Sequence, residues 1–136
     1  MANFVATTKA IFEAFASGNV EFILGQLADD VQWEYGICAT EVPWYQNRLG
    51  RAGAVEFFQS LAGVEFRTFT AKAFLHDEQS DAVAVLVDSD YVIRATGALV
   101  SYVDAILLLR FNADGQLSHF AHRVDLTQAV RGLAVG

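Results

Sequence analysis

The apolar and polar positions near the start of the chain follow the period of a helix. Apolar side chains recur every three or four residues between Phe4 and Phe15, which predicts an amphipathic helix with one buried face. The Ser-Gly-Asn sequence at 17–19 ends this helix. Residues 20–30 are typical of a second, shorter helix.

The next segment changes to the period of a strand. In 29–38, Asp-Asp-Val-Gln-Trp-Glu-Tyr-Gly-Ile-Cys, apolar and polar residues alternate. Alternation places Trp33 and Tyr35 on one face of the strand and Gln32 and Glu34 on the other. We therefore expect Trp33 and Tyr35 to belong to the apolar face.

Long strands dominate the rest of the chain. A loop with the only proline, Pro43, precedes a third helix over 51–63, and a short tail at the end is predicted to form one helical turn. Between them, strands are predicted at 64–76, 82–95, 98–111 and 116–126. The last two are joined by Asn-Ala-Asp-Gly, which favours a tight hairpin turn with Gly115 in the left-handed region. Helices followed by long antiparallel strands indicate an α+β fold.

The composition favours one domain over 1–136. Hydrophobic residues make up 54% of the 136 residues and charged residues 18%, which is enough for a sizeable core. The net charge of −7 argues against a nucleic-acid partner, because contact with phosphates needs a basic surface. No apolar run is long enough for a membrane helix, and the first residues lack the features of a secretory signal. Cys38 has neither a disulfide partner nor a zinc-binding neighbour, so we expect a cytoplasmic protein without a bound metal.

Both faces of the strand at 98–111 are apolar apart from Tyr102 and Asp104. These two side chains are two residues apart, so regular alternation puts them on one face together with Ile106. A carboxylate in an apolar run must be exposed, paired or functional. A sheet covered by helices on one side should show polar residues on the other. The second apolar face therefore predicts a homodimer formed sheet to sheet.

Three segments, in this order, carry a resemblance to a known family. They are AFASGNVEFILGQLADDVQWE (14–34), RLGRAGAVEFFQSLAG (48–63) and RFNADGQLSHFAHRVDL (110–126). The chain resembles the nuclear transport factor 2-like superfamily and, within it, the SnoaL-like group related to ketosteroid isomerases and polyketide cyclases. The resemblance implies a cone-shaped, curved antiparallel sheet wrapped around three helices from the N-terminal half. It also implies a deep apolar pocket at the open end and dimerisation through the sheet.

Three polar side chains are the candidates for chemistry in that pocket: Tyr102, Asp104 and His122. A type I hairpin turn brings Asp104 diagonal to His122, and a register shifted by one pair brings them face to face, about 5–8 Å apart. Because an apolar cavity disfavours a charged carboxylate, Asp104 and His122 are expected to share a proton and act as acid and base. Tyr102 would donate to an oxyanion. The alternative is a structural cluster that satisfies its own hydrogen bonds.

The resemblance implies that aromatic side chains line the same pocket. The candidates are Phe12, Phe15, Trp33, Tyr35, Trp44 and Phe120. Such a lining fits a compact hydrophobic molecule with one polar group. As an enzyme, the chain would be an isomerase, cyclase or hydrolase that needs no cofactor and acts on a hydrophobic ring compound. The alternative is a domain that binds a small ligand or a second copy without catalysis.

The catalytic residues of two related enzyme groups are not retained. In ketosteroid isomerases a tyrosine and two aspartates occupy the positions that correspond here to Ile11, Tyr35 and Leu107, so that mechanism is not expected. Epoxide hydrolases of this fold use an Arg-x-Asp pair and a second aspartate. The nearest match, Tyr102-Val103-Asp104 with His122, keeps one carboxylate.

Overall fold

The computed structural model describes residues 3–36 and 41–134. Within these ranges the helices are α1 (Phe4–Ala16), α2 (Val20–Gly25), α3 (Gly50–Ser60) and α4 (Thr127–Ala134). The strands are β1 (Leu27–Trp33), β2 (Arg48–Leu49), β3 (Val64–His76), β4 (Ala82–Ile93), β5 (Leu99–Phe111) and β6 (Leu117–Arg123). Cys38 lies outside the described residues.

Asparagine side chains set the starts of the first two helices. Asn3 Oδ1 accepts a hydrogen bond from the backbone N–H of Ala6 at 3.0 Å, and Asn19 Oδ1 accepts one from Phe22 at 3.2 Å. Each asparagine thereby satisfies a donor that has no partner within the helix. The buried residues of α1 are Thr8, Ile11, Phe12 and Ala14, which confirms the predicted apolar stripe. None of the helices in the described part of the chain has the length and apolarity that a bilayer crossing requires.

The strands form one open, curved sheet in the order β2-β1-β6-β5-β4-β3. From β3 to β6, each strand pairs antiparallel with the next one in the chain, as the turn sequences between them predict. β1 instead pairs parallel with β6. The sheet is therefore mixed, and the expectation of a wholly antiparallel sheet is wrong. The parallel pairing is possible because a long crossover, through α3 and the four strands β2 to β5, separates β1 from β6. The predicted α+β fold class is confirmed.

Strand β4 shows the alternation of buried and half-exposed residues without interruption. Its odd-numbered residues, from Val83 to Ile93, are buried, and its even-numbered residues are partly exposed. The odd-numbered side chains face the helices and form the floor of the core. The turn between β5 and β6 also has the predicted form, with φ of +78° at Gly115 and a 2.9 Å hydrogen bond from Asn112 N–H to the Gln116 carbonyl.

A bulge near the middle of β5 decides which side chains of that strand face inward. Val103 and Asp104 together occupy the place opposite Asp88 of β4. Asp104 has φ of +56°, in the left-handed region that few residues with side chains adopt and that aspartate tolerates. The extra residue shifts the alternation by one position. The side chains on the inner face of β5 are therefore Val100, Tyr102, Ala105, Leu107 and Leu109.

Candidate functional site

A cavity lined almost wholly by apolar side chains lies between the sheet and the helices. The empty space between its walls is about 850 Å³, a figure that includes open solvent at the mouth of the cavity. Its aromatic lining residues are Phe12, Phe15, Trp33, Trp44, Tyr45, Phe57, Phe58, Phe66, Phe69, Tyr91, Tyr102 and Phe120. No lysine, arginine, aspartate or glutamate of the described residues lines it. The described ranges also contain no group of three or more side chains suited to hold a metal ion.

His122, on β6, brings an imidazole to the wall of this cavity. Its ring nitrogen Nδ1 is hydrogen-bonded to Glu34 Oε1, and its backbone N–H donates to the same oxygen at 2.9 Å. Because an ionised carboxylate can only accept, we assign the hydrogen to Nδ1, which leaves Nε2 for the cavity. An imidazole held in this way offers a lone pair when neutral and an N–H donor when protonated, so it can serve as base or acid.

Glu34 reaches the interior because the backbone leaves the strand path at this residue. Its φ is +59°, and its N–H donates to the Phe120 carbonyl at 2.6 Å. Its side chain is fully buried, so the expectation that it lies on the face opposite Trp33 is wrong. A left-handed conformation at such a residue costs about 1–3 kcal/mol and persists where the surroundings enforce it. Gly36, two residues further on, also has a left-handed backbone, with φ of +76°.

Three tyrosines form a second polar cluster on the cavity wall. Tyr45 and Tyr91 are joined by their hydroxyl oxygens at 3.2 Å, and the Tyr102 hydroxyl donates to the backbone carbonyl of Asp125 at 3.0 Å. Burial raises the pKa of all three phenols, so they act as neutral hydrogen-bonding groups. The ring of Tyr45 lies 5.2 Å from the ring of His122, which places the two polar clusters side by side.

Asp104 lies outside the cavity, so the expectation that it faces His122 is wrong. Its side chain is 63% exposed and forms an ion pair with Lys72, with Nζ and Oδ1 2.6 Å apart. Its backbone N–H donates to Asp88 Oδ1 at 3.1 Å. The bulge turns Asp104 to the outer face of the sheet, and Leu107 takes the position beside His122.

Tyr35 also lies outside the cavity, contrary to its predicted place among the lining residues. Its hydroxyl accepts a hydrogen bond from Arg110 Nε at 3.3 Å, and its ring lies 4.9 Å from the ring of His119. The guanidinium of Arg123 stands 4.7 Å from the ring centre. The left-handed backbone at Glu34 is the cause, because it sends Tyr35 to the outer face in place of Glu34.

The other candidate residues lie on the cavity wall. They are Phe12, Phe15, Trp33, Trp44, Tyr102, Phe120 and His122. Trp33 stacks on Phe120 with ring centroids 4.4 Å apart, and Trp44 Nε1 donates to the Tyr91 hydroxyl at 3.1 Å. Their positions agree with the expectation, while their contacts with a ligand remain predictions.

Four polar residues of this site were not among the predicted site residues: Glu34, Tyr45, Ser89 and Tyr91. Ser89 and Tyr91 have odd numbers in β4, so the uninterrupted alternation of that strand already placed them on its buried face. Glu34 had no comparable signal, because strict alternation pointed it the wrong way.

Comparison with known proteins agrees with this architecture. Residues 8–120 match the SnoaL-like domain family. The chain belongs to this family. The SnoaL-like match extends from α1 to β6 and so includes both Glu34 and the start of β6. No curated protein matches the chain.

Several solved structures share the fold of this SnoaL-like chain. A nuclear transport factor 2-like protein of unknown function from Burkholderia pseudomallei has a TM-score of 0.81 and 19% identity, over 97% of this chain and 98% of that one. A Mycobacterium tuberculosis protein in complex with estradiol-17β-hemisuccinate has a TM-score of 0.76 and 17% identity, over 94% and 98%. The Δ5-3-ketosteroid isomerase of Mycobacterium sp. has a TM-score of 0.73 and 17% identity, over 94% and 97%. At these identities the likeness is one of fold.

Proposed function

We propose that this SnoaL-like chain binds an uncharged, hydrophobic molecule in its cavity and moves a proton on that molecule through His122. The observation that carries the proposal is an imidazole on a wall that has no charged side chain among the described residues, held at Nδ1 by a fully buried carboxylate. The reactions that fit are isomerisation, cyclisation or hydrolysis by acid–base chemistry without a cofactor.

The hydrogen bond between Glu34 and His122 supports proton transfer to His122 Nε2. Glu34 Oε2 is buried without a hydrogen-bond partner among the described residues, and both hydrogen bonds that Glu34 Oε1 makes there come from His122. When Nε2 removes a proton from a bound molecule, the imidazolium that forms is stabilised by Glu34 at its other nitrogen. The same proton can return to a different atom of the molecule, which completes an isomerisation.

The lining supports an uncharged ring compound as the ligand. Aromatic walls favour flat apolar molecules, and the lack of charged lining residues among the described ones disfavours an ion. Two proteins of the same fold are consistent with this choice, since one is in complex with an estradiol derivative and the other is a ketosteroid isomerase.

One observation favours the second candidate function, which is binding without turnover. The hydroxyl of Tyr102 already donates to the Asp125 carbonyl, so it does not offer the oxyanion contact expected of it. In a binding protein, His122 would simply donate a hydrogen bond to the ligand. Binding and turnover therefore need separate measurements.

Binding is tested with N-phenyl-1-naphthylamine, a neutral probe whose fluorescence rises in an apolar site. We expect saturable binding, accompanied by quenching of Trp33 and Trp44, which both line the cavity. Ala105→Phe should weaken binding of the probe at least tenfold, because Ala105 lines the cavity and the larger phenylalanine ring occupies the space that the probe needs. Ala62→Phe, at an exposed position outside the lining, is the matched control. Absence of saturable binding to the wild-type protein would contradict the proposed function.

We also propose that the chain forms a homodimer through the outer face of its sheet. Along β5 this face presents Asp104, Ile106, Leu108 and Arg110 in sequence, and Ile106 is 40% exposed. A two-fold axis that lies in the interface and crosses β5 between Ile106 and Leu108 would place Asp104 of one copy opposite Arg110 of the other. Such a surface is self-complementary in both apolar contact and charge.

Ile106→Glu should convert this dimer to a monomer, because each interface would then bury two unpaired carboxylates. Sedimentation velocity at micromolar concentration measures the change. Gln59→Glu adds the same charge on the exposed surface of α3 and should leave the dimer intact. A wild-type protein that sediments as a monomer would refute the proposal.

A further inference from the structure

Ser89 is a buried polar residue whose hydroxyl has no partner among the described residues. Three polar or charged residues are buried in the described part of the chain: Thr8, Glu34 and Ser89. The Thr8 hydroxyl donates to the Phe4 carbonyl at 2.6 Å, and Glu34 is bound to His122. Ser89 is 7% exposed, and its hydroxyl makes no hydrogen bond to any described group.

The Ser89 hydroxyl is open to the cavity and not sealed in the core. Ser89 belongs to the cavity lining. Among the described residues, the side-chain atoms that are both fully buried and without a hydrogen-bond partner are Trp33 Nε1 and Glu34 Oε2. The Ser89 oxygen also has no partner there but is not fully buried, so it is accessible from the cavity. Its Cα partners on the two neighbouring strands are Phe69 and Tyr102. The hydroxyl therefore stands alone on an aromatic stretch of wall, where a hydrogen bond to a ligand would be shielded from water.

Ser89 and His122 are far apart on the inner face of the sheet. His122 pairs with Leu107, which pairs with Val85 of β4. Ser89 is four residues further along β4 on the same face. These steps correspond to about 13 Å along the strand and about 10 Å across two strand spacings, before the curvature of the sheet brings the side chains closer. A single small polar group cannot meet both residues.

We infer that Ser89 is a second polar subsite, which binds a hydroxyl or carbonyl oxygen at the end of the ligand remote from His122. This inference rests on the proposed function and narrows its ligand to an elongated, uncharged molecule with an oxygen at each end. Serine can donate to a carbonyl and can accept from a hydroxyl, so Ser89 selects for the presence of that oxygen and not for a charge.

The test uses 17β-estradiol and its two mono-deoxy analogues, each lacking one of the terminal oxygens. Affinity is measured by quenching of tryptophan fluorescence in the wild-type protein and in Ser89→Ala. We expect Ser89→Ala to weaken estradiol binding roughly tenfold, the effect of one neutral hydrogen bond in a shielded site. The substitution should weaken the binding of one mono-deoxy analogue by a similar factor. It should leave the affinity for the other analogue unchanged, because the latter lacks the oxygen that contacts Ser89.

Ser101→Ala is the matched control, since Ser101 is exposed on the outer face of β5. Equal affinity of the wild-type protein for estradiol and both analogues would overturn the inference, and so would an equal effect of Ser89→Ala on all three. Either result would leave the proposed function standing, because N-phenyl-1-naphthylamine reports binding to the cavity independently. Failure of that probe and of all three steroids to bind would remove both.

Discussion

Substituting His122 with glutamine is expected to lower the rate of base-catalysed proton abstraction in the cavity by about 100-fold or more. Glutamine keeps a donor for Glu34 Oε1, which prevents the loss of stability that an unpaired buried carboxylate would cause. It has no group that can take up a proton. Removal of His122 therefore eliminates the chemistry while it preserves the shape of the site.

The probe for this measurement is 5-nitrobenzisoxazole, whose ring opens when a base removes the proton on carbon. The electron pair of the broken C–H bond forms the nitrile as the N–O bond breaks, and a coloured phenolate is released. The probe needs only a base in an apolar site, so it reports on His122 before the natural substrate is identified. Stability and binding of N-phenyl-1-naphthylamine should stay close to wild type in His122→Gln.

Asp104→Asn is the matched control for the assignment of the base. Asparagine tolerates the left-handed backbone conformation found at position 104. The Asp104 side chain is exposed to solvent, so its replacement leaves the cavity unchanged. We expect no change in the rate with this variant. A rate loss in Asp104→Asn, or wild-type turnover in His122→Gln, would show that the base has been assigned to the wrong residue.

Replacing Glu34 should have the largest effect on stability of the changes considered. In Glu34→Ala, the backbone N–H of His122 and its Nδ1–H lose their acceptor, and a cavity opens where the side chain was buried. Buried donors without partners cost about 1–3 kcal/mol each, so we expect a loss of about 3 kcal/mol in the free energy of unfolding. Urea denaturation at a fixed protein concentration measures it.

Glu34→Gln separates the positioning of His122 from stability. The amide keeps the size and an acceptor oxygen but lacks the negative charge that stabilises an imidazolium. We expect near-wild-type folding together with a rate loss of at least about tenfold with 5-nitrobenzisoxazole. Nitrogen NMR of the His122 ring should show hydrogen at Nδ1 in the wild type and a mixture of tautomers in the variant. An unchanged ring spectrum and rate would mean that Glu34 has only a structural role.

Much of the scaffold could be predicted from local patterns. The period of α1, the alternation of β4 and the turn chemistry before Gly115 each depend on residues close together in the chain. Such features follow from how neighbouring side chains share a helix face or a strand face. The order of these elements was enough to indicate the family.

The candidate site was predicted only where alternation continued without interruption. Tyr102 and His122 were placed correctly on the cavity wall. Asp104 and Tyr35 were misplaced because the backbone at each site interrupts the alternation of inward and outward side chains along the strand. The breaks are the bulge at Val103 and Asp104, and the left-handed turn at Glu34.

The sequence by itself determined the fold class, the family and the apolar, aromatic character of the interior, because these follow from composition and short-range periodicity. Only the tertiary structure decided which carboxylate meets His122. Glu34 and His122 are 88 positions apart, and they meet because β1 lies parallel to β6 and because Glu34 adopts a left-handed conformation. Both conditions depend on strand pairing across the whole sheet, and no local pattern of residues encodes them.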